Sequence, residues 1–285
     1  MRLNPFNPGD VRVRRGGGGG GLPGGKLGCG GIVVVLIGAL VFGIDPASMV
    51  GMVESTSTQQ QTTPARTGES AAQICDDNQY ARESCNALAS LNQTWQPVFQ
   101  QAGVQFAQPE LVFYQGGTAS ACGSASAAMG PFYCPGDEGI YIDTRFYDQM
   151  AQQMGAGGDF ARLFVIAHEY GHHIQYLTGV ANQIRSAQQQ NPRAANQLQV
   201  LMELQADCFA GVWAGKNRNL IEPGDFEEGM NAAAAIGDDR LMEQAGRRVN
   251  PESFTHGSSQ QRMQALRLGM ESGDDTQCDR IVEIG

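Results

Sequence analysis

A chain of 285 residues is long enough for one large domain with a real core or for two small ones, and its 41% hydrophobic content is diluted by 38 glycines, many of them in one run near the start. Its net charge of −10 is unevenly shared: residues 1–44 carry Arg2, Arg12, Arg14, Arg15 and Lys26 against Asp10 alone, leaving fourteen basic and twenty-eight acidic residues beyond them. An acidic body argues against a nucleic-acid partner, because phosphate binding needs Lys and Arg clustered on one face, and the acidity reads as simple solubility in preference to recognition of a basic substrate.

Residues 1–26 are basic and rich in Pro and Gly, with Gly16 to Gly21 unbroken, and read as a disordered cytoplasmic tail because nothing offsets the entropy of ordering them. From Leu27 to Ile44 no charge occurs, a length at the lower edge of what spans a bilayer as a helix, so 27–45 reads as a transmembrane anchor. The basic residues all precede it, which keeps the N-terminus cytoplasmic and exports the rest. A cleaved signal peptide fits less well, since the glycine-rich start is long and no clear A-x-A site follows. Lipidation at Cys29 is disfavoured because that cysteine precedes the apolar run. Residues 46–70, rich in Ser, Thr, Gln and Pro, read as a flexible linker, and 71–285 as the folded domain. The expected location is the inner membrane, single-pass, with the domain in the periplasm.

Within the domain, the spacing of Ile74, Ala81, Leu88, Leu91, Trp95 and Phe99 predicts a helix over 71–101. Leu111 to Tyr114 and Gly139 to Asp143 have strand character, with a Gly/Ser/Ala loop between them that Cys122 and Cys134 can pin. Helical patterns follow at 158–178, 193–214, 224–236, 238–246 and 258–271. The fold class is therefore α+β, a small sheet followed by a helical half. No C-x-x-C occurs, so the six cysteines after Cys29 read as up to three disulfides of an exported domain, with buried free thiols as the alternative. Among the fifteen full pairings, proximity favours Cys75–Cys85 and Cys122–Cys134, and elimination leaves Cys208–Cys278.

The segment that carries chemistry is His168-Glu169-Tyr170-Gly171-His172. Histidines four apart on a helix project from one face and can reach a single ion, and zinc suits them through its nitrogen ligands and tetrahedral geometry. Glu169 is placed to reach a water at that ion without ligating it. Leu163, Ile166, Tyr170, Ile174 and Leu177 give the same helix a core face, while His173, about 100° further round, points away as a structural or solvent-facing residue. Gly171 costs about 1 kcal/mol relative to Ala inside a helix, which makes sense where another backbone must come close. For the third ligand, Glu203 stands in an apolar run of the next long helix, where a carboxylate needs a partner. Asp207, one turn on, can accept the distal N–H of a ligating histidine and fix its tautomer. A solvated Glu/Asp pair is the bland alternative.

His-Glu-x-x-His followed by Glu-x-x-x-Asp resembles the gluzincin pattern. More closely, His168-Glu-Tyr-Gly-His-His-Ile-Gln, Glu203-Leu-Gln-Ala-Asp-Cys-Phe-Ala-Gly-Val-Trp and Thr255-His-Gly-Ser-Ser-Gln-Gln-Arg together resemble the bacterial putative neutral zinc metallopeptidase family over nearly the whole chain. The resemblance implies a zincin-like domain behind an N-terminal membrane segment, one Zn2+ per chain at His168, His172 and Glu203, and Glu169 as the catalytic base. The stretch holding His256 is also similar to a segment that lies near the active site in membrane-linked gluzincins. His256 can there donate to the oxyanion of a tetrahedral intermediate or cap the metal in a latent state; otherwise Ser258 or Ser259 simply caps the last helix. Arg262 is a weaker candidate for that neighbourhood.

The function these readings imply is hydrolysis of peptide bonds in a protein or peptide substrate by a Glu-assisted, zinc-activated water, the substrate lying extended along the strand near Gly139–Asp143 as in gluzincins. Two rivals stand beside it: an inactive or latent zinc-site protein serving as a periplasmic binding or chaperone module, and a zinc hydrolase of a non-peptide amide.

Overall fold

The computed structural model describes residues 1–17 and 68–283. The expected anchor at 27–45, Cys29 and all but the last three residues of the expected linker lie outside these. Among the described residues no helix is long and apolar enough to cross a membrane.

The start of the chain departs from the tail expected of it. Strand β1 (Arg12–Arg15) pairs in parallel with β2 (Glu110–Phe113), from Arg12 opposite Glu110 to Arg15 opposite Phe113. Ahead of it, the chain runs across the domain: the Arg2 N–H donates to the Leu220 carbonyl, the Phe6 N–H to Asn86, and Asn92 donates to the Asp10 carbonyl. The glycine content that suggested disorder is concentrated from Gly16 onward. The residues before it bury Met1 and Val11 and gain a ladder of main-chain hydrogen bonds, and those two terms offset the ordering entropy.

β2 continues in parallel to β6 (Gly139–Ile142), and β5 (Phe132–Cys134) closes the sheet antiparallel to β6, giving the order β1-β2-β6-β5. The segment between β2 and β6, expected as a loop, supplies β5 and also a hairpin of β3 (Gly117–Ser120) and β4 (Gly123–Ser126). A disulfide between Cys122 at its tip and Cys134 on β5 ties it to the sheet.

The helix expected over 71–101 is two helices. Ser70 and Gln73 form a capping box on α1 (Ala71–Cys75), and the Asn78 side chain accepts the Ala81 N–H to start α2 (Gln79–Ala102). The Cys75–Cys85 disulfide staples the break. After β6 come α3 (Arg145–Gln153), α4 (Asp159–Leu177), α5 (Val180–Gln190), α6 (Ala195–Lys216), α7 (Asp225–Ala235), α8 (Asp238–Gln244), α9 (Ser259–Ser272) and α10 (Thr276–Asp279). Helices α3 and α5 have no counterpart in the periodicity analysis, because each buries only two side chains, Tyr147 and Met150 or Ala181 and Ile184.

Helix α4 is the centre of the domain. Phe160, Leu163, Phe164, Val165, Ile166, Ala167, Tyr170 and Ile174 are all buried, so its apolar surface extends well beyond one stripe. It packs on α6 almost backbone to backbone: a Cβ at Gly171 would stand 2.8 Å from both the Cα and the carbonyl oxygen of Ala206. The glycine is what lets the two helices close to this distance. α6 crosses α9 in a similar way, with Gly211 against Leu266 and Gly269 against Cys208, and the Cys208–Cys278 disulfide fastens α6 to α10. All three disulfides are the expected pairs.

Candidate metal centre

The contact between Gly171 and Ala206 sets one turn of α4 beside one turn of α6. His168 and His172 face across it to Glu203 and Asp207. His168 Nε2 lies 3.2 Å from Glu203 Oε2, and His172 Nε2 lies 3.6 Å from the same oxygen. The three atoms are all within 4.8 Å of one another.

What surrounds these atoms fixes their chemistry. The Nδ1–H of His168 donates to Asp207 Oδ1 at 2.8 Å, and that of His172 to Gln175 Oε1 at 2.9 Å. Gln175 is oriented for this because its own amide nitrogen donates to the Met202 carbonyl and to Gln205. The other oxygen of Glu203 accepts from Gln199 at 2.9 Å. Each outward atom is thus committed, and with neutral imidazoles the three that remain, two imine nitrogens and one carboxylate oxygen, are all acceptors aimed at one point. Acceptors gathered without a donor repel unless a cation stands between them. A tetrahedral ion with bonds of about 2.0–2.1 Å sets its ligands roughly 3.3–3.4 Å apart, in line with the separations observed.

Charge makes the same point. With neutral imidazoles, the buried carboxylates of Glu169, Glu203 and Asp207 outnumber the one buried guanidinium, Arg262, and the excess negative charge favours a cation. Arg262 grips Asp207 with both arms, Nε to Oδ2 and Nη2 to Oδ1, each at 2.8 Å. In the metal-free site, burial works against protonating His168, but Asp207 and Glu203 outweigh it and raise its pKa to about 10. Burial likewise disfavours ionised Glu203, yet the two imidazoles hold its carboxyl well below the usual carboxylate range. The field that draws protons onto the histidines is the field that would hold a metal.

Glu169 is buried within electrostatic reach of His168, His172 and Glu203 and forms no hydrogen bond among the described residues; burial pushes its carboxyl up despite both histidines. His256 is brought to the neighbourhood of Glu203. Its loop lies on α6, where a Cβ at Gly257 would meet Val200 at 3.2 Å and Leu204 at 3.4 Å, residues on either side of Glu203. His256 Nδ1 is 3.1 Å from Asp238 Oδ1, and Asp238 Oδ2 accepts the N–H groups of Thr255, His256 and Gly257. Nε2 of His256 is buried without a partner among the described residues. The Ser258 cap on α9 is present as well, in a capping box with Gln261. His173 points the other way, between the Tyr133 hydroxyl and the Ala107 carbonyl, and is structural.

Gln175, Gln199, Gln205 and Asp238 of this network escaped the sequence reading. Gln175 stands three places after His172 on the same helix, a spacing that could have found it. Asp238 carries no local signal, being one of two adjacent aspartates at a helix start. The strand expected to receive substrate, β6, is an interior strand, paired with β2 on one side and, over Gly139 to Tyr141, with β5 on the other.

The sequence profile of the family described as "Putative neutral zinc metallopeptidase" matches residues 7–281. The chain belongs to this family. It is 45% identical over 261 residues to Uncharacterized protein YpfJ of Escherichia coli K12, covering 90% of this chain and 88% of that one. It is 35% identical over 257 residues to Uncharacterized protein Rv2575 of Mycobacterium tuberculosis H37Rv and to Uncharacterized protein Mb2605 of Mycobacterium bovis, covering 85% of this chain and 84% of each. No solved structure matches the chain. The metallopeptidase family match begins ahead of the apolar stretch and so takes in β1 as well as the site.

Proposed function

We propose that the protein is a zinc-dependent endopeptidase of an oxidising compartment, attached to the membrane through the apolar stretch 27–44. The observation that carries the reading is the convergence of His168 Nε2, His172 Nε2 and Glu203 Oε2, which with neutral imidazoles are three acceptors with no donor among them. Zinc, held there, supplies Lewis acidity, acidifying a water and polarising a carbonyl.

The chain's own groups do the rest. Glu169, buried and unbonded, takes a proton from the attacking water and passes it to the leaving amine. Asp207, clamped by Arg262, keeps the His168 ring turned with Nε2 inward, and Gln175 does the same for His172. Asp238, 3.1 Å from Nδ1, orients the His256 ring so that Nε2 is the atom offered to the carbonyl oxygen as that oxygen gains charge. Three disulfides support an oxidising location, where such bonds persist.

The test is metal content and cleavage measured together. Full-length protein should hold one zinc per chain and cut an unfolded protein, with the activity lost to a chelator and regained on adding zinc. Fully loaded protein that binds unfolded chains without cutting them would favour the latent binding module instead, and cleavage confined to muropeptides would favour a non-peptide amide. Resistance of the full chain to carbonate extraction checks the membrane attachment.

A further inference from the structure

β1 precedes the apolar stretch in sequence, yet it is a strand of the sheet formed by residues that follow that stretch. Among the described residues, the arginines that argued for a cytoplasmic N-terminus are also engaged by the domain. Arg12 donates to the Gln108 carbonyl at 2.9 Å, and Arg14 binds Glu110 at 2.6 Å and the Tyr141 hydroxyl at 2.9 Å. Arg15 pairs with Glu69 at 2.7 Å and with Asp77 at 3.3 Å. This last pair joins the strand that leads toward the apolar stretch to the residues that lead back from it, so the chain leaves and re-enters the domain at one corner. At that corner the Gly16 N–H still donates to the Phe113 carbonyl at 2.7 Å.

A single crossing by 27–44 would put β1 and β2 on opposite faces of a bilayer. It would strip the four-residue ladder from β2, expose that strand as an edge and leave Glu110 and Glu69 without their arginines. Two crossings need about 40 apolar residues, and the sequence between positions 18 and 67 offers one uncharged run of 18. We propose that residues 1–17 and 68–283 are one folded body on one side of the membrane, and that the corner at Arg15 and Glu69 is its bilayer-facing surface. This inference is independent of the peptidase reading, since no residue of the metal centre enters it.

The experiment uses the full-length chain in sealed vesicles of known orientation, with Cys29 replaced by Ser. One reporter cysteine is placed at Gly9, exposed ahead of β1, and in a second protein at Asn191, exposed between α5 and α6. A membrane-impermeant maleimide should label both from the same side and to similar extents. Labelling from opposite sides overturns the proposal. Because an added cysteine can mispair with the native six, docking of β1 is read separately without one. In the detergent-purified full chain, Arg14→Glu should lower the unfolding midpoint by about 2–4 °C, and the charge-swapped Arg14→Glu/Glu110→Arg protein should regain at least half of it. Equal midpoints in all three proteins would mean that β1 is not held in the sheet.

Discussion

His172 and His173 are neighbours on α4 and end in opposite surroundings. On the sheet side, each ring nitrogen of His173 has a partner, the Tyr133 hydroxyl donating to one and the other donating to Ala107, and burial lowers its pKa to about 4. On the α6 side, His172 has one nitrogen satisfied by Gln175 and the other aimed at an acceptor that is also the target of His168. Both regions are buried and polar. The difference is that one closes its hydrogen bonds and the other leaves a point where only a cation completes them. A buried polar cluster with all its valences met holds a fold together, and one with converging unmet acceptors is built around something else.

The sharpest way to break this comparison is Glu203→Ala. It should abolish stoichiometric zinc binding and with it all detectable cleavage, as metal analysis and a proteolysis assay on the same sample would read; retained zinc would move the third ligand elsewhere. Glu169→Gln should keep the zinc and lower kcat/KM by roughly 10²- to 10⁴-fold, the range general acid–base catalysis supplies. A variant that cuts at the wild-type rate removes Glu169 from the reaction. A smaller effect is expected from Asp207→Asn, which leaves the ligands in place but weakens the orientation of His168; competition with a chelator should show zinc affinity lower by about 10–100-fold.

The least effect on the centre belongs to His173→Gln, which tests the other side of the helix. The folded His173 titrates near 4 against 6.5 for the free side chain, so between those values the unfolded chain holds a proton that the folded one does not. Stability contributed by the neutral ring is therefore present above pH 6.5 and falls as pH drops toward 4, by about 3 kcal/mol in full. Unfolding free energy measured across that window should have a shallower pH slope in the Gln variant than in the wild type, with zinc content unchanged. Parallel slopes would mean that the ring is not held neutral.

How much of this was legible follows from the range of the interactions. His168, Glu169 and His172 are set by helical spacing alone, and Glu203 stood out because a carboxylate in an apolar run needs a reason. Asp207 and Gln175 are one turn from a ligand and within reach of the same logic. Asp238 is not, because its partners, the N–H groups of residues 255–257, lie across a chain reversal. β1 escaped because four residues give too little periodicity to register beside a glycine run, and its partner strand is about a hundred residues away.

By itself, the sequence determined where the long helices that carry the site form, which residues could ligate and which cysteines pair, since these depend on local spacing and a short tally of candidates. The tertiary structure decided that β6 is an interior strand, that the chain's first strand joins the sheet, and that each histidine presents Nε2 inward. Those outcomes depend on which backbones meet, and the decisive meeting, Gly171 on Ala206, is a contact between two helices whose close approach the glycine permitted but could not place.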